Sequence, residues 1–232
     1  MSASKISLDS PASAIKVQLP ASVNGFSSIT IRPLALVDAP KILAGVEESL
    51  SELKRFIAWS YFPQSIESQK SRIISRIHSY WTMKDFAFNV VDSDSDAFIG
   101  ASGLHARTLH SKGLEIGYWI RSSLAGNGLA TVITKALIVY GFDYLKLNRV
   151  QCCYNTLNTR SARVAEKCGF KVEGILKNFE PPPTQEMIQS GWQSSSEMII
   201  SALYPESIDH LDWYQDFQKR ITVYDWLGQP VI

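Results

Sequence analysis

The sequence predicts a mixed α/β domain, a central β-sheet flanked by helices. Three observations predict it. Stretches that alternate apolar and polar residues interleave with stretches of helical period. Residues 114–174 run strand, glycine-rich turn, helix, strand, Asn-x-x-Ser helix, strand. A chain of 232 residues, 45% hydrophobic, can bury one sizeable core and carry short extensions. We divide it into a flexible tail (1–25), a single domain (26–204) and an aromatic-rich helical extension (205–232).

The elements follow in order. Residues 28–36 alternate and form a first strand. Asp38 is placed to cap a helix entered through Ala39 and Pro40, because proline suits a first helical turn; this helix reaches about residue 50. A second helical piece, 51–59, carries Leu53, Phe56, Ile57 and Trp59, and Pro63 ends it. Ile66, Ile73, Ile74, Ile77 and Trp81 make 65–83 a third helix. Residues 86–91 and 97–104 are strands joined by the polar turn 92–96. The clearest strand is 114–120, with Leu114, Ile116, Tyr118 and Ile120 on one face and Glu115, Gly117 and Trp119 on the other. Leu129, Val132, Ile133, Ala136, Leu137 and Tyr140 form the stripe of the next helix. Residues 149–154 are a strand, and 159–168 a short helix closed by Gly169, which suits a left-handed cap. Strands follow at 171–179 and 194–203, separated by Pro181, Pro182 and Pro183. Residues 209–222 read as helical, with Trp213, Tyr214 and Phe217 and, beyond them, Tyr224 and Trp226. That aromatic load packs on the core or forms a partner or dimer surface.

Composition removes several function classes. Lys+Arg is 23 and Asp+Glu 22, a net charge of +1, far from the basic excess that nonspecific nucleic-acid binding needs. Three cysteines, two adjacent, make no disulfide framework, and no Cys/His cluster has zinc spacing, so no metal is expected. Cys152 and Cys153 read as strand residues facing opposite ways. No apolar run is long enough to span a membrane, and the first twenty residues lack a secretory apolar core. The expectation is a reducing, cytoplasmic location and a monomer or homodimer.

Two motifs carry chemistry. The turn Ala125-Gly126-Asn127-Gly128-Leu129-Ala130-Thr131 opens onto a helix. Its glycines admit close approach to the backbone, and the helix aims amides and partial positive charge at whatever lies there, a setting for pyrophosphate. The alternative is a plain strand-to-helix turn. Neither Gly-x-x-x-x-Gly-Lys-Ser/Thr nor Gly-x-Gly-x-x-Gly is present. Some thirty residues on, Asn158-Thr159-Arg160-Ser161 opens a second helix. Asn158 is either a helix cap or a partner for an amide-rich cofactor arm; Ser161 is either a tolerated first-turn residue or a proton donor to a leaving thiolate.

The run Glu115-Ile116-Gly117-Tyr118-Trp119-Ile120, the turn Gly126 to Thr131, Asn158-x-x-Ser161, Glu166-Lys167-Cys168-Gly169-Phe170 and Glu173-Gly174 resemble the GNAT superfamily of N-acetyltransferases. More narrowly they resemble the RimJ/RimL-type branch that acetylates ribosomal-protein N-termini. The resemblance covers residues 28–203. It implies a splayed mixed sheet with acetyl-CoA between two parallel central strands, the pyrophosphate on the amides of Gly126, Asn127, Gly128, Leu129, Ala130 and Thr131, and the pantetheine arm along the backbone of Trp119 and Ile120. One departure stands out. Ala125 occupies the place where the superfamily has Gln or Arg, which removes a side-chain contact and leaves the amide cradle.

Acetyl transfer to an amine needs a proton acceptor, an oxyanion donor and a proton for the thiolate. Glu115 is a candidate base, and Glu180, seven residues after Glu173, matches the ribosomal branch's carboxylate. For each, the alternative is a solvated or hydrogen-bonded carboxylate. His105, near the central strands, is the histidine to watch ahead of His78, His110 and His210. Substrate selection is assigned to 51–63, with Arg55, Trp59 and Tyr61 as acceptor-lining candidates, and to the loop 180–195, whose 181–191 part is a candidate lid. The activity implied is transfer from acetyl-CoA to a primary amine, foremost a protein or peptide N-terminus, by direct attack in a ternary complex. The alternatives are a small amine (polyamine, amino acid or antibiotic) and a non-catalytic CoA-binding sensor or interaction module.

Overall fold

The computed structural model describes residues 11–20, 23, 25–106 and 113–231. Among the described residues nine strands form one open sheet: β1 (Ala14–Gln18), β2 (Ser28–Pro33), β3 (Phe86–Asp92), β4 (Phe98–Ala106), β5 (Gly113–Ile120), β6 (Arg149–Asn155), β7 (Lys171–Leu176), β8 (Met198–Leu203) and β9 (Ile221–Tyr224). Their spatial order is β7-β8-β6-β5-β4-β3-β2-β1-β9. Every pairing is antiparallel except β5 with β6.

That parallel pair positions the site. β5 and β6 are in register only from Gly113–Arg149 to Glu115–Gln151. Beyond that point β5 follows β4, with Ile116 through Ile120 opposite Leu104 through Gly100, while β6 follows β8, with Cys152 through Asn155 opposite Ser201 through Met198. The strands part, and the main-chain edges facing the gap lose each other as partners.

Helices α1 (Ala39–Leu53) and α2 (Ile66–Trp81) cover one face; α3 (Leu129–Val139) and α4 (Thr159–Cys168) cover the other. On the first, Ile42, Val46 and Leu53 of α1 and Ile73 of α2 pack with Phe98. On the second, Leu129, Ile133, Ala136 and Leu137 of α3 join the larger core with Ile116, Val150 and Cys168. Short helices α5 (Gln185–Gln189) and α6 (Tyr214–Gln218) complete the set.

The structure corrects several boundaries. The expected tail includes β1, whose Ile15 and Val17 are fully buried between β2 and β9; residues 1–10 lie outside the described residues. The expected helix 209–222 shrinks to α6, because Ile221 and Val223 turn inward as alternate residues of β9. The piece 51–59 is no separate helix: α1 runs on to Leu53, and a 3-10 turn covers Ala58–Tyr61. Asp38 stands before α1 without capping it, since its buried carboxylate accepts Arg32 Nη1 and Nη2 (2.7 and 2.8 Å), Asn89 Nδ2 and Ala35 N. β7 ends at Leu176, and β8 begins at Met198 rather than Ser194. Ser194 and Ser195 are held away from the ladder by Asn155, which donates to Ser194 Oγ and Ser195 O.

Candidate active site

The glycine turn sits where β5 leaves the sheet. Gly126 and Gly128 have φ of +90° and +85°, and a Cβ at either would meet nothing within 4 Å. Glycine is required there by backbone conformation and not by crowding. Gly128 is the residue before α3 and supplies no side-chain cap. Val132 N–H is bonded to Gly128 O at 3.0 Å, so the amides of Leu129, Ala130 and Thr131 have no partner inside the helix. The turn is tethered to α1: Arg121 pairs with Glu48, Ser122 N donates to Ser49 Oγ and Ser123 N to Glu48 Oε1, both at 3.0 Å. The Arg121 guanidinium, aided by Ser123, holds the Glu48 carboxyl down at about 2.

On the α3–α4 side of the gap lie Tyr118, Asn158 and Ser161. Asn158 is a helix cap: its Oδ1 accepts Ser161 N at 3.1 Å, and its own N–H bonds Asn155 O at 2.9 Å. This leaves its amide Nδ2 to serve another acceptor. The Tyr118 hydroxyl is buried and makes no hydrogen bond among the described residues, with Ser161 as its polar neighbour. Burial raises the phenol well above its ordinary value, so it keeps its proton. Burial also pushes the Cys152 and Cys168 thiols up to about 12. As expected of alternate strand residues, Cys152 is buried on this side, and Cys153 stands on the other beside Gln151.

Glu115 occupies the closed end of the gap, in the last paired register. It is 7% exposed and accepts Gln151 Nε2 at 2.9 Å. Across the sheet it faces His105, whose Nδ1 lies 3.0 Å from Asp85 Oδ1. The imidazole lies over Gly103 and Gly117; a Cβ on Gly103 would come within 2.6 Å of the ring. His110 lies outside the described residues.

Glu180 stands at the open end. Its carboxylate accepts Ser194 Oγ, and Asn155 Nδ2 donates to the same hydroxyl. Asn155 is four residues along β6 from Gln151, about 13 Å of strand, so the two candidate carboxylates belong to opposite ends of the gap.

The segments 51–63 and 180–195 do meet. Arg55 Nε and Nη2 donate to Gln193 Oε1 (3.0 and 2.7 Å), and Gln193 N returns a bond to Arg55 O at 2.8 Å. Tyr61 donates to Lys54 O at 2.8 Å and stands edge-on to Trp192, 6.0 Å between centroids. Both residues are therefore committed to joining the segments. Trp59 lies 6.3 Å from Trp119 of β5, with the Arg72 guanidinium 4.8 Å from its ring. Phe62 and Ile188 on these segments, and Phe179 just before the second, are exposed apolar side chains.

Sequence reasoning gave Asn155, Gln151, Ser194 and Gln193 no individual role, and gave Tyr118 only a place on one face of its strand. One signal was available: Asn155 and Asn158 flank a two-residue strand-to-helix turn, where Asn side chains organise backbone. Among the described residues no His/Cys/Asp/Glu group is arranged to hold a metal ion, and no helix is long and apolar enough to cross a membrane.

Known proteins agree with this geometry. The putative ribosomal N-acetyltransferase YdaF of Bacillus subtilis (strain 168) is 30% identical over 153 residues, 65% of this chain and 81% of that protein. The ribosomal-protein-serine acetyltransferase of Escherichia coli (strain K12) is 27% identical over 128 residues, 55% of this chain and 70% of its own length. In fold, the chain is similar to Mycobacterium smegmatis RimJ in complex with CoA-disulfide, with a TM-score of 0.73 at 18% identity over 92% of this chain and 96% of that one. The acetyltransferase (GNAT) domain family matches residues 28–171, a span that holds the parting strands, the glycine turn and the Asn158 helix; the chain belongs to the GNAT acetyltransferase family.

Proposed function

We propose that this enzyme transfers acetyl from acetyl-CoA to the α-amine of a protein N-terminus, by direct attack within a ternary complex. The observation that carries the reading is the shared anchorage, at the end of β6, of the Asn155–Ser194–Glu180 network and of the Asn158-capped helix that bears Ser161. The residues fit the cofactor: open space at Gly126 and Gly128, unpartnered amides at the start of α3, and an orphaned Tyr118 hydroxyl beside the gap. Bound there, acetyl-CoA supplies an activated acyl carbon and a thiol leaving group.

The chain's own residues divide the work. The amides from Gly126 to Thr131 hold pyrophosphate. The edge of β5 at Trp119 and Ile120, left by β6, hydrogen-bonds the pantetheine arm, and Asn158 Nδ2 adds a donor. Ser161 Oγ would be the donor that protonates the leaving thiolate, with the protonated Tyr118 hydroxyl next to it. Glu180 takes the proton of the incoming ammonium. We assign this role to Glu180 over Glu115, because Glu115 is held by Gln151 at the closed end of the gap, about 13 Å of strand from Asn155, which anchors the Glu180 network. An α-amine titrates near ~8, against ~10.4 for lysine, so a carboxylate working through water is base enough. The high Cys152 and Cys168 thiols oppose an acyl-enzyme on either. Trp59 lines the acceptor mouth, while Arg55 and Tyr61 position the segment carrying Gln193. The names of the Bacillus and Escherichia relatives support a ribosomal-protein acceptor.

Initial-rate kinetics with acetyl-CoA and a peptide bearing a free N-terminus test the direct attack. Double-reciprocal lines that intersect agree with a ternary complex; parallel lines, the mark of a covalent intermediate, contradict it.

A further inference from the structure

A groove of about 320 Å³ opens beside the glycine turn. One wall is the turn and α3, through Gly128, Thr131 and Lys135; the opposite wall comes from Trp213 and Arg220 of the C-terminal segment, with Lys167 at the end of α4. Residues 213–220 lie beyond the 28–171 span that the family model matches. Resting on the acetyl-CoA reading, we propose that the groove grips the nucleotide end of the cofactor, an aromatic base and a ribose phosphate, and that the C-terminal segment supplies the base wall.

Continuity is the first argument. Gly128 and Thr131 belong to both the phosphate cradle and the groove, and Lys135 follows Thr131 one helical turn on, about 6 Å along the axis. A ligand whose pyrophosphate rests on the amides has its nucleotide directed there.

Chemistry is the second. The groove carries three cations, Lys135, Lys167 and Arg220, against one carboxylate, Asp216, which is paired with Arg220 at 2.8 Å. Lys135 Nζ is held 4.5 Å from the Trp213 ring centroid. Burial and the neighbouring Lys167 ammonium lower the Lys135 amine from its usual value; an anion between the two lysines would relieve both effects. Val132, Trp213 and Phe217 give the groove apolar sides, and the Trp213 indole N–H is buried without an acceptor. A purine ring presents a flat face that those apolar sides can cover.

The test is calorimetric titration of the full-length protein with CoA, 3′-dephospho-CoA and 4′-phosphopantetheine. Wild type should bind CoA about tenfold tighter than dephospho-CoA, the worth of one charge-assisted contact. Changing Lys135→Met and Lys167→Met together should bring that ratio close to one and leave dephospho-CoA affinity in place, which also reports an intact fold. Trp213→Leu should weaken CoA and dephospho-CoA about fivefold and spare phosphopantetheine. Equal affinity of wild type for CoA and dephospho-CoA, or a preference that survives the lysine changes, overturns the proposal and leaves the acetyltransferase reading standing. Absence of CoA binding by wild type overturns both.

Discussion

Glu180 and Asn155 share one hydroxyl: Ser194 Oγ donates to the carboxylate and accepts from the amide. Asn155 is the last residue of β6, and its carbonyl receives Asn158 N–H just before the helix that carries Ser161. The carboxylate that would take the acceptor's proton and the hydroxyl that would give one to sulfur are thus anchored to the same strand end. Proximity of this kind supplies much of the rate in acyl transfer.

Replacing Glu180 by Gln should lower kcat about 100-fold, the usual worth of a general base, with the KM for acetyl-CoA little changed. Glu115→Gln should instead reduce thermal stability, since a buried hydrogen-bonded carboxylate is disturbed, and spare most of kcat. The reverse pattern would move the base to the closed end of the gap.

Ser161→Ala should reduce turnover while acetyl-CoA affinity, read by calorimetry, stays near wild type. The Ser161 backbone N–H that Asn158 caps is retained in this variant, so helix stability is kept. Unchanged turnover removes Ser161 from the proton path.

Gly128→Val should abolish cofactor binding. The added Cβ meets no atom, so the harm comes from forcing a branched residue to φ near +85°, a strain of about 1–3 kcal/mol, which the chain relieves by moving the amides. A folded variant with wild-type affinity for CoA would place the pyrophosphate elsewhere.

The Glu48–Arg121 tether predicts an acid dependence. Glu48 titrates at about 2 folded against 4.5 as the reference. The unfolded chain therefore binds the proton first, and the tether's contribution is whole above pH 4.5 and lost as pH falls toward 2. Glu48→Gln should flatten stability over that window, measured by denaturant unfolding at stepped pH; an unaltered slope would show that the pair contributes nothing there. Both groups are partly exposed, so the effect is modest and shrinks in salt.

Arg55→Ala removes the guanidinium that spans Glu52 and Gln193. We expect a higher KM for the acceptor with that for acetyl-CoA preserved. Equal acceptor KM in the variant would mean that the link does not shape the mouth.

Much of this was legible in the sequence, for a physical reason. β5, α3 and α4 declare themselves through period, glycine and cap residues, which are local properties, and the motifs on them mark the gap between β5 and β6. β1 and β9 did not. Each is a run of only four or five residues, and their pairing with each other spans some two hundred positions, which no local pattern reports, although β1 also pairs with its neighbour β2. The Glu180–Ser194–Asn155 network is likewise assembled from two loops and a strand end. Asp38 shows the limit of cap reasoning: a residue in the right place, itself buried, served the half-buried Arg32 instead. Trp59 and the Arg55–Gln193 link joined segments that the sequence could only name separately.

The most direct test is mass spectrometry of acetyl-CoA reactions with peptides bearing free N-termini, the same peptides N-blocked with free lysines, a polyamine and an aminoglycoside. The expected product is a single added acetyl group on the α-amine of the free-N-terminus peptides, with the blocked peptides and small amines unmodified. Acetylation of lysine, polyamine or aminoglycoside with the α-amines untouched would contradict it.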